Sequence, residues 1–376
     1  MSGVKRWQRS MAIAVVLAVS SAVGGPSQAA GSDFGTGRLL VPDPETSTVT
    51  AHPPFKPAGA TAITGAFVGD TPYGSTDDIL WYTPGPGGDA LWESRPGGTW
   101  RSHPISITGT FEPVVGRFAA GDVQDDIIWY APGSHPDELW DFNQDGTITK
   151  KALSIKGDFE PIVGRFSQLG VEDIIWYAPG PAPDAWWSFG PNTSITSRPL
   201  TINGRYQPLV GHFGCFDAYG PDTFADVLWY GAGAAPDAIW DFRSKHAIAR
   251  TSITINGTYK PVVGAFTDDL CTDVIWYAPG KASDSMWDYG ASLARPTSVP
   301  LKIDGHYRPV SGNLFPSSYG YTDVLWFGPG SARDVIWDYS SSGGPPADRT
   351  VDVDGDRTPV VGFFTTGHES IIDLSS

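Results

Sequence analysis

The residue types that could do chemistry in this chain form no cluster that resembles a catalytic centre. The seven histidines occupy unrelated positions, and no two of them have the spacing of a metal-binding pair. The sequence contains neither a Gly-x-Ser-x-Gly elbow nor a glycine-rich phosphate loop. The aspartates recur periodically, which is typical of residues that bond the backbone in turns. We therefore expect no catalytic residues, no bound metal, no cofactor and no enzymatic activity.

Tryptophan is the residue type best suited to binding a ligand, and the chain has 15 of them. Most stand at two equivalent positions of an internal repeat, where they could form several similar sugar platforms or pack between repeats. Packing is the favoured interpretation, because the Trp-Tyr pair continues an apolar strand and large aromatic side chains fill wedge-shaped interfaces. Trp100 and Trp186 depart from the repeat, so they are the candidates for exposed, ligand-binding aromatics.

The repeat itself sets the positions of these residues. An aromatic residue followed by x-Pro-Val-Val-Gly, or a close variant, recurs about every 50 residues. The glycines that close the phrase are Gly65, Gly116, Gly164, Gly211, Gly264, Gly312 and Gly362. A second phrase, Asp-Ile-Ile-Trp-Tyr in its commonest form, follows, and a third phrase ends on tryptophan. Each unit thus contains four short β-branched or aromatic runs separated by turns, which predicts four strands.

Four strands in a unit of this length are the signature of a β-propeller blade. The units begin near residues 58, 111, 159, 206, 259, 307 and 357. The last unit is two strands short, and residues 38–55 before the first unit have the pattern of two further strands. We therefore predict an all-β, seven-bladed β-propeller with four antiparallel strands per blade. In this prediction the N- and C-terminal strands share one blade and so close the ring.

The N-terminal residues 1–29 have the pattern of a secretory signal peptide. A basic start, Lys5, Arg6 and Arg9, precedes an apolar stretch and then small residues. We expect a secreted, extracellular protein in which residues 30–376 form a single propeller domain. The formal net charge of −16 argues against nucleic acid or an anionic membrane as partner, because both require a basic surface.

The two cysteines, Cys215 and Cys271, fall in matching positions of neighbouring units, in the loop between the first and second strands. Adjacent blades bring such loops side by side, and secretion supplies an oxidising compartment. We therefore predict a disulfide between them. The alternative is a pair of buried free thiols, since cysteine packs well as a small apolar residue.

The order Gly-Arg-Phe, loop, Asp-Ile-Ile resembles the FG-GAP and VCBS repeats of integrin-type propellers, and the resemblance covers all seven units. In that family the loop between the first and second strands often carries an acidic calcium motif. In the third unit Arg165, Ser167 and Leu169 occupy the leading ligand positions, and only Asp173 remains. In the fifth unit Ala265, Thr267 and Asp269 precede Asp273. Calcium takes six to eight oxygen ligands, so we expect no calcium and no effect of a chelator on stability.

The phrases Trp-Tyr-Ala-Pro-Gly and Asp-x-x-Trp-Asp-Phe are similar to those of secreted seven-bladed propellers of streptomycetes. This resemblance implies a non-catalytic protein that acts on an extracellular metalloprotease and is a transglutaminase substrate. Gln124, Gln144 and Gln168 lie in predicted loops, and Gln144, on an expected hairpin tip, is the best acceptor. The sequence therefore favours an interaction propeller that binds another extracellular protein. A lectin with several sugar sites is the alternative, and an enzyme with a site at the central channel ranks third.

Overall fold

The computed structural model describes residues 38–40, 59–69, 76–95, 99–121, 123–133, 136–167, 171–214, 216–217, 220–221, 224–243, 246–269, 271–290, 292–315, 321–328, 333–339, 346–351, 358–365 and 368–374. Within these residues the regular secondary structure is β-strand, apart from one short 3-10 turn at Pro191–Thr193. No helix in this part of the chain is long and apolar enough to span a membrane.

Six sheets have four antiparallel strands each, in the order in which the strands occur in the chain. We number these sheets as blades 1 to 6. Blade 1 contains β2 (Thr61–Gly65), β3 (Asp78–Tyr82), β4 (Ala90–Arg95) and β5 (Thr99–Pro104). Blade 2 contains β6 (Glu112–Gly116), β7 (Asp126–Tyr130), β8 (Asp137–Phe142) and β9 (Ile148–Leu153). Blade 3 contains β10 (Glu160–Gly164), β11 (Asp173–Tyr177), β12 (Asp184–Gly190) and β13 (Ser194–Leu200).

Blade 4 includes an additional small ribbon, formed by β15 (Phe216–Asp217) and β16 (Gly220–Pro221). Its four main strands are β14 (Gln207–Gly211), β17 (Asp226–Tyr230), β18 (Asp237–Arg243) and β19 (Ala247–Ile253). Blade 5 contains β20 (Lys260–Gly264), β21 (Asp273–Tyr277), β22 (Asp284–Asp288) and β23 (Thr297–Leu301). Blade 6 contains β24 (Arg308–Gly312), β25 (Asp323–Phe327), β26 (Asp334–Asp338) and β27 (Ala347–Val351).

A further sheet, the terminal sheet, joins the two ends of the chain. It has three strands in the order β1 (Arg38–Leu40), β29 (His368–Leu374) and β28 (Thr358–Thr365). The sequence predicted seven four-stranded blades, whereas the structure has six, and the terminal sheet has only one strand from the N-terminal segment. The rest of the segment predicted to complete it, residues 41–55, lies outside the described residues.

The strand patterns follow from where each strand lies in a blade. The first strands contact one another in a closed circle, in which β28 stands between β24 and β2. The second strands are buried at every residue, since they are covered on both faces by neighbouring blades. Their six tryptophans are at most 2% exposed, so the predicted packing between blades is confirmed for these residues.

A tyrosine hydroxyl at the end of the second strand joins each of five blades to the next. In blade 2 the hydroxyl of Tyr130 donates to Gly157 O at 2.7 Å and accepts from Phe159 N at 2.9 Å. The same pair of bonds recurs at Tyr82, Tyr177, Tyr230 and Tyr277. Blade 6 has Phe327 at this position, so its side chain cannot make these bonds.

The opposite ends of the strands are joined by a second set of bonds between blades. Glu172 N donates to Arg117 O at 2.8 Å, and the Glu172 carboxylate accepts from Arg117 N at 2.8 Å. His212 and Thr272 form the same two-bond pair, with the threonine hydroxyl as acceptor. Blade 2 is thus bonded to blade 3 at both ends of the strands, and blade 4 is bonded to blade 5 in the same way.

The contact between blade 1 and the terminal sheet closes the circle. The hydroxyl of Ser94 donates to Phe364 O at 2.9 Å, and the ring of Phe364 lies 5.6 Å from that of Trp100. Trp100 is half-buried in this contact. Its role is therefore at least partly structural, in contrast to the exposed position that the sequence predicted.

Candidate functional site

The most prominent repeated feature is a group of three aromatic rings, which we call the aromatic triad. In blade 2 it consists of Phe111, which precedes the first strand, Trp129 on the second strand and Trp140 on the third. The ring centroids of Phe111 and Trp129 are 6.0 Å apart, and those of Trp129 and Trp140 are 5.4 Å apart. Blades 3 to 6 repeat the arrangement with centroid distances between 5.1 and 6.1 Å.

In blade 2 the triad borders a pocket of about 250 Å³. Its polar lining includes Glu138, Lys150, Ser106 and Thr108, and Ile107 adds a further apolar wall. The combination of aromatic walls with a few polar groups is typical of small-ligand sites. The volume is slightly below the range for drug-sized ligands, which begins at about 300 Å³, so the pocket has room only for a small group.

The polar groups of the pocket are organised around the indole of Trp140. The indole Nε1 donates to Glu138 Oε2 at 2.5 Å, and the ammonium of Lys150 lies 3.7 Å from the ring centroid. Lys150 stands opposite Trp140 in the β8–β9 register. The exposed lysine therefore covers the ring of a tryptophan that is itself only 3% exposed.

Glu138 and Lys150 distinguish this pocket from its counterparts. The positions equivalent to Glu138, each opposite the second-strand tryptophan, are occupied by Ala90, Ala185, Ala238, Ser285 and Val335. A cation over the third-strand tryptophan recurs only in blade 4 among the described blades, where Arg250 lies 4.4 Å from the Trp240 ring centroid. A position that departs from an otherwise regular repeat is a candidate for function, and comparing the third phrase across units would have revealed Glu138.

The structure does not expose Trp186, which the sequence singled out as a binding aromatic. Trp186 is 1% exposed and lies in the core between blades 3 and 4, 5.3 Å from the ring of Phe242. It occupies the strand position of Leu139 in blade 2, which faces the core, whereas Trp187 occupies the position of Trp140. The prediction for Trp186 is wrong because strand alternation, and not its departure from the repeat, decides which way it faces.

The three glutamines proposed as transglutaminase acceptors differ in their environments. Gln144 is exposed in the β8–β9 hairpin, where Gly146 N donates to Asn143 O at 2.9 Å. Gln124 is 1% exposed, and its amide donates to Gly69 O, so an enzyme cannot reach it in the folded chain. The loop that carries Gln124 packs against blade 1, and the sequence did not predict this contact. Gln168 lies outside the described residues.

Cys271 is fully buried beside β21, whereas Cys215 lies outside the described residues. The disulfide between them therefore stays a prediction. None of the histidines approaches a cysteine or another histidine in a metal-binding group within the described part of the chain.

Two sets of repeated aspartates bond the backbone, as the sequence indicated. At the start of the second strand, Asp126 accepts hydrogen bonds from Phe118 N, Ala119 N and Phe142 N. Burial raises the pKa of Asp126 to about 7, and that of Asp323 likewise to about 7. At the start of the third strand, Asp137 accepts from Ala131 N and Ile155 N and so closes the turn. These carboxylates are enclosed by their backbone donors, which is a structural arrangement.

Comparison with solved structures finds folds similar to this one. A lectin of Agrocybe aegerita, whose structure is described as the basis of specific recognition of non-reducing terminal N-acetylglucosamine, has a TM-score of 0.63. The match is 12% identical and covers 85% of this chain and 90% of the lectin. A protein from Lactobacillus plantarum has a TM-score of 0.51 at 10% identity, over 91% of this chain and all of that protein. At these identities the likeness shows the β-propeller fold alone.

No protein-family model matches the chain. No curated protein matches it either. The resemblance to streptomycete propellers therefore has no support beyond the sequence phrases.

Proposed function

We propose that this protein is a non-catalytic binding propeller that takes a carbohydrate at the blade 2 aromatic triad. The observation that carries the proposal is the pocket in which Glu138 and Lys150 meet Phe111 and Trp140. Aromatic faces pack against the apolar side of a sugar ring, while a carboxylate and an ammonium bond its hydroxyl groups. The lectin named among the similar folds is described as binding N-acetylglucosamine, which makes this sugar the first to test.

A ligand that stacks on Trp140 must displace Lys150 from the ring. The cost is small, because Lys150 is exposed to solvent and a solvent-exposed cation over an aromatic ring contributes about 0.5–1 kcal/mol. Lys150 is exposed and has a flexible stem, so its ammonium can move aside and bond a hydroxyl of the ligand. The pocket thus combines a fixed aromatic wall with one adjustable polar group.

The experiment is an isothermal titration of the protein with N-acetylglucosamine and a panel of monosaccharides. Glu138→Ala installs the residue that three other blades have at this position, and Ser285→Ala in blade 5 is the matched control. We expect a saturable signal for at least one sugar, weakened tenfold or more by Glu138→Ala and unchanged by the control. Absence of binding to every sugar, or equal affinity of Glu138→Ala and the parent protein, contradicts the proposal.

A second candidate function is interaction with another extracellular protein, including the metalloprotease that the sequence resemblance implies. The exposed hairpin that carries Gln144 favours it, because a side-chain amide there is open to a transglutaminase. A pull-down from culture medium of the source organism, with a protease-activity readout, tests this candidate. Recovery of no specific partner, together with an unlabelled Gln144, would argue against it.

We make three further proposals about the architecture and processing of the chain. We propose that the terminal sheet is the seventh blade, completed by residues after Leu40, since its β28 takes the seventh place in the circle of first strands. We propose that residues 1–29 are removed on secretion. We also propose the Cys215–Cys271 disulfide, on the ground that the two cysteines fall in matching loops of neighbouring units.

A further inference from the structure

The residue that follows the third-strand tryptophan is acidic in five of the six blades. These residues are Glu93, Asp141, Asp241, Asp288 and Asp338. They lie near the buried aspartate that begins the second strand of the same blade, so each of these five blades has a pair of neighbouring carboxylates. Two adjacent carboxylates repel one another, and the pair needs a positive charge or a proton to be stable.

In three blades a basic side chain supplies that charge. Arg95 and His103 contact Glu93 in blade 1, at 3.1 and 2.8 Å. In blade 4 the partner of Asp241 is Arg243, and in blade 6 the partner of Asp338 is Arg349.

Blade 5 has no arginine at either of the positions from which these partners come. Arg95 and Arg243 stand two residues after the acidic residue, where blade 5 has Gly290. Arg349 stands opposite Ile336, and the corresponding residue in blade 5 is Val299, opposite Met286. Asp288 therefore has no arginine partner from either of these two positions.

A third carboxylate occupies the place of the missing arginine. A Cβ atom at Gly290 would collide with the Asp269 carboxylate, so the glycine leaves room for that group. Asp269, Asp273 and Asp288 each present one ligand atom, and these atoms lie within 4.8 Å of one another. The hydroxyl of Thr267 is bonded to both Asp269 and Asp273, at 3.0 and 3.2 Å, and is a fourth oxygen at the cluster.

An independent feature of Asp273 also points to a ligand. In four other blades Oδ1 of the equivalent aspartate accepts the N–H of the second residue after the third-strand tryptophan. The donors there are Ser94, Phe142, Phe242 and Tyr339. In blade 5 the corresponding residue is Tyr289, but Oδ1 of Asp273 has no hydrogen-bond partner although the residue is fully buried. A buried carboxylate oxygen without a partner is costly, and a bound cation would satisfy it.

We propose that Asp269, Asp273 and Asp288 bind a calcium ion, which replaces the arginine that neutralises the carboxylate pairs of blades 1, 4 and 6. An all-oxygen set of three carboxylates and a hydroxyl is the donor chemistry of hard divalent cations, and the loop position of Asp269 allows the variable geometry that calcium accepts. The sequence expected no calcium in this loop. That expectation considered only ligands within the loop, whereas Asp288 comes from the third strand.

The test uses the full chain after removal of metals with EDTA. Thermal unfolding is followed in buffer, in calcium chloride and in magnesium chloride at equal ionic strength. Terbium, a luminescent substitute for calcium, is added in a second measurement, because Trp287 beside the cluster can sensitise its emission. We expect calcium to raise the melting temperature by several degrees and to compete with terbium for the site.

Asp269→Asn and Asp288→Asn each remove one ligand, and both should abolish the calcium-dependent shift and the terbium emission. Asp141→Asn is the matched control, since it changes the same strand position in blade 2, and it should leave both signals intact. The half-exposed loop position of Asp269 makes Asp269→Asn the variant that tests the site without a core change. An unchanged melting temperature of the parent protein in calcium overturns the proposal. A calcium-dependent rise in melting temperature that is equal in Asp269→Asn and in the parent protein also overturns it. If magnesium raises the melting temperature as much as calcium does, the assignment to calcium is wrong.

Discussion

Replacing Tyr130 with phenylalanine removes one hydroxyl group from the junction between blades 2 and 3. That hydroxyl donates to Gly157 O and accepts from Phe159 N. Gly157 O still accepts a hydrogen bond from Gly133 N at 2.8 Å. At this carbonyl the substitution therefore removes only one ordinary hydrogen bond. Phe159 N donates to no other acceptor in the described part of the junction, so the substitution leaves a backbone N–H without an acceptor.

The two effects give a predicted destabilisation of about 2–4 kcal/mol. An ordinary hydrogen bond contributes about 1 kcal/mol, and an unsatisfied buried N–H costs about 1–3 kcal/mol. Tyr206→Phe is the matched control, because the Tyr206 hydroxyl makes one exposed bond, to Asn203 O at 3.3 Å. We expect the control to lie within about 0.5 kcal/mol of the parent protein.

The free energy of unfolding is measured by urea titration with tryptophan fluorescence, on the parent protein and both variants. The account requires Tyr130→Phe to unfold at a clearly lower urea concentration than Tyr206→Phe. If the two variants unfold together, the hydroxyl bridges do not hold the blades, and the packing of the aromatic rings alone must do so.

Three further outcomes follow from the structure and the sequence. Burial raises the pKa of Asp126 to about 7, above the value of about 3.9 in an unfolded chain, so the contribution of the protonated Asp126 to stability is complete below about pH 4 and is lost as the pH rises through 7. In urea titrations the free energy of unfolding should therefore decline less over this pH range for Asp126→Asn than for the parent protein. Parallel pH profiles of the two proteins would refute the assignment. Mass spectrometry after transglutaminase labelling with an amine donor should find label on Gln144 and none on the buried Gln124, and the reverse pattern would be incompatible with the structure. A thiol assay on the denatured, unreduced protein should detect no thiol if Cys215 and Cys271 are bonded, and two reactive thiols would exclude the bond.

The sequence predicted the blade because each of its strands has a distinct physical environment. The second strand, Asp126–Tyr130 in blade 2, is apolar on both faces and is covered on both faces. The fourth strand, Ile148–Leu153, has three consecutive polar residues and no fully buried residue, as expected of an outer strand. These patterns are local, so they can be read along the chain without knowledge of the neighbours.

The sequence could not predict contacts that depend on the packing of one loop on another blade. Gln124 was expected to be accessible because it lies between strands, but its loop packs against blade 1 and buries it. The position of Asp288 beside Asp269 also depends on packing. Asp288 reaches the loop of Asp269 only because the first and third strands flank the same second strand, which no linear motif encodes.

The aromatic residues that break the repeat do not indicate the pocket of blade 2. Glu138 breaks the repeat by charge, at a position where the other five blades have alanine, serine or valine. An unusual charge at a repeated aromatic site is the more informative signal, since aromatic residues in this fold mostly pack between blades.

The measurement that tests the proposed function most directly is the indole N–H resonance of Trp140 in protein labelled with nitrogen-15 at tryptophan. This N–H donates to Glu138 at the pocket wall, so a sugar bound there must change its environment. Substitution Trp140→Phe assigns the resonance, and a titration with N-acetylglucosamine and related sugars follows it. The account predicts a saturable shift of this resonance that is larger than those of the second-strand tryptophans. A spectrum in which no sugar moves the Trp140 resonance, at concentrations that saturate known lectins, would contradict it.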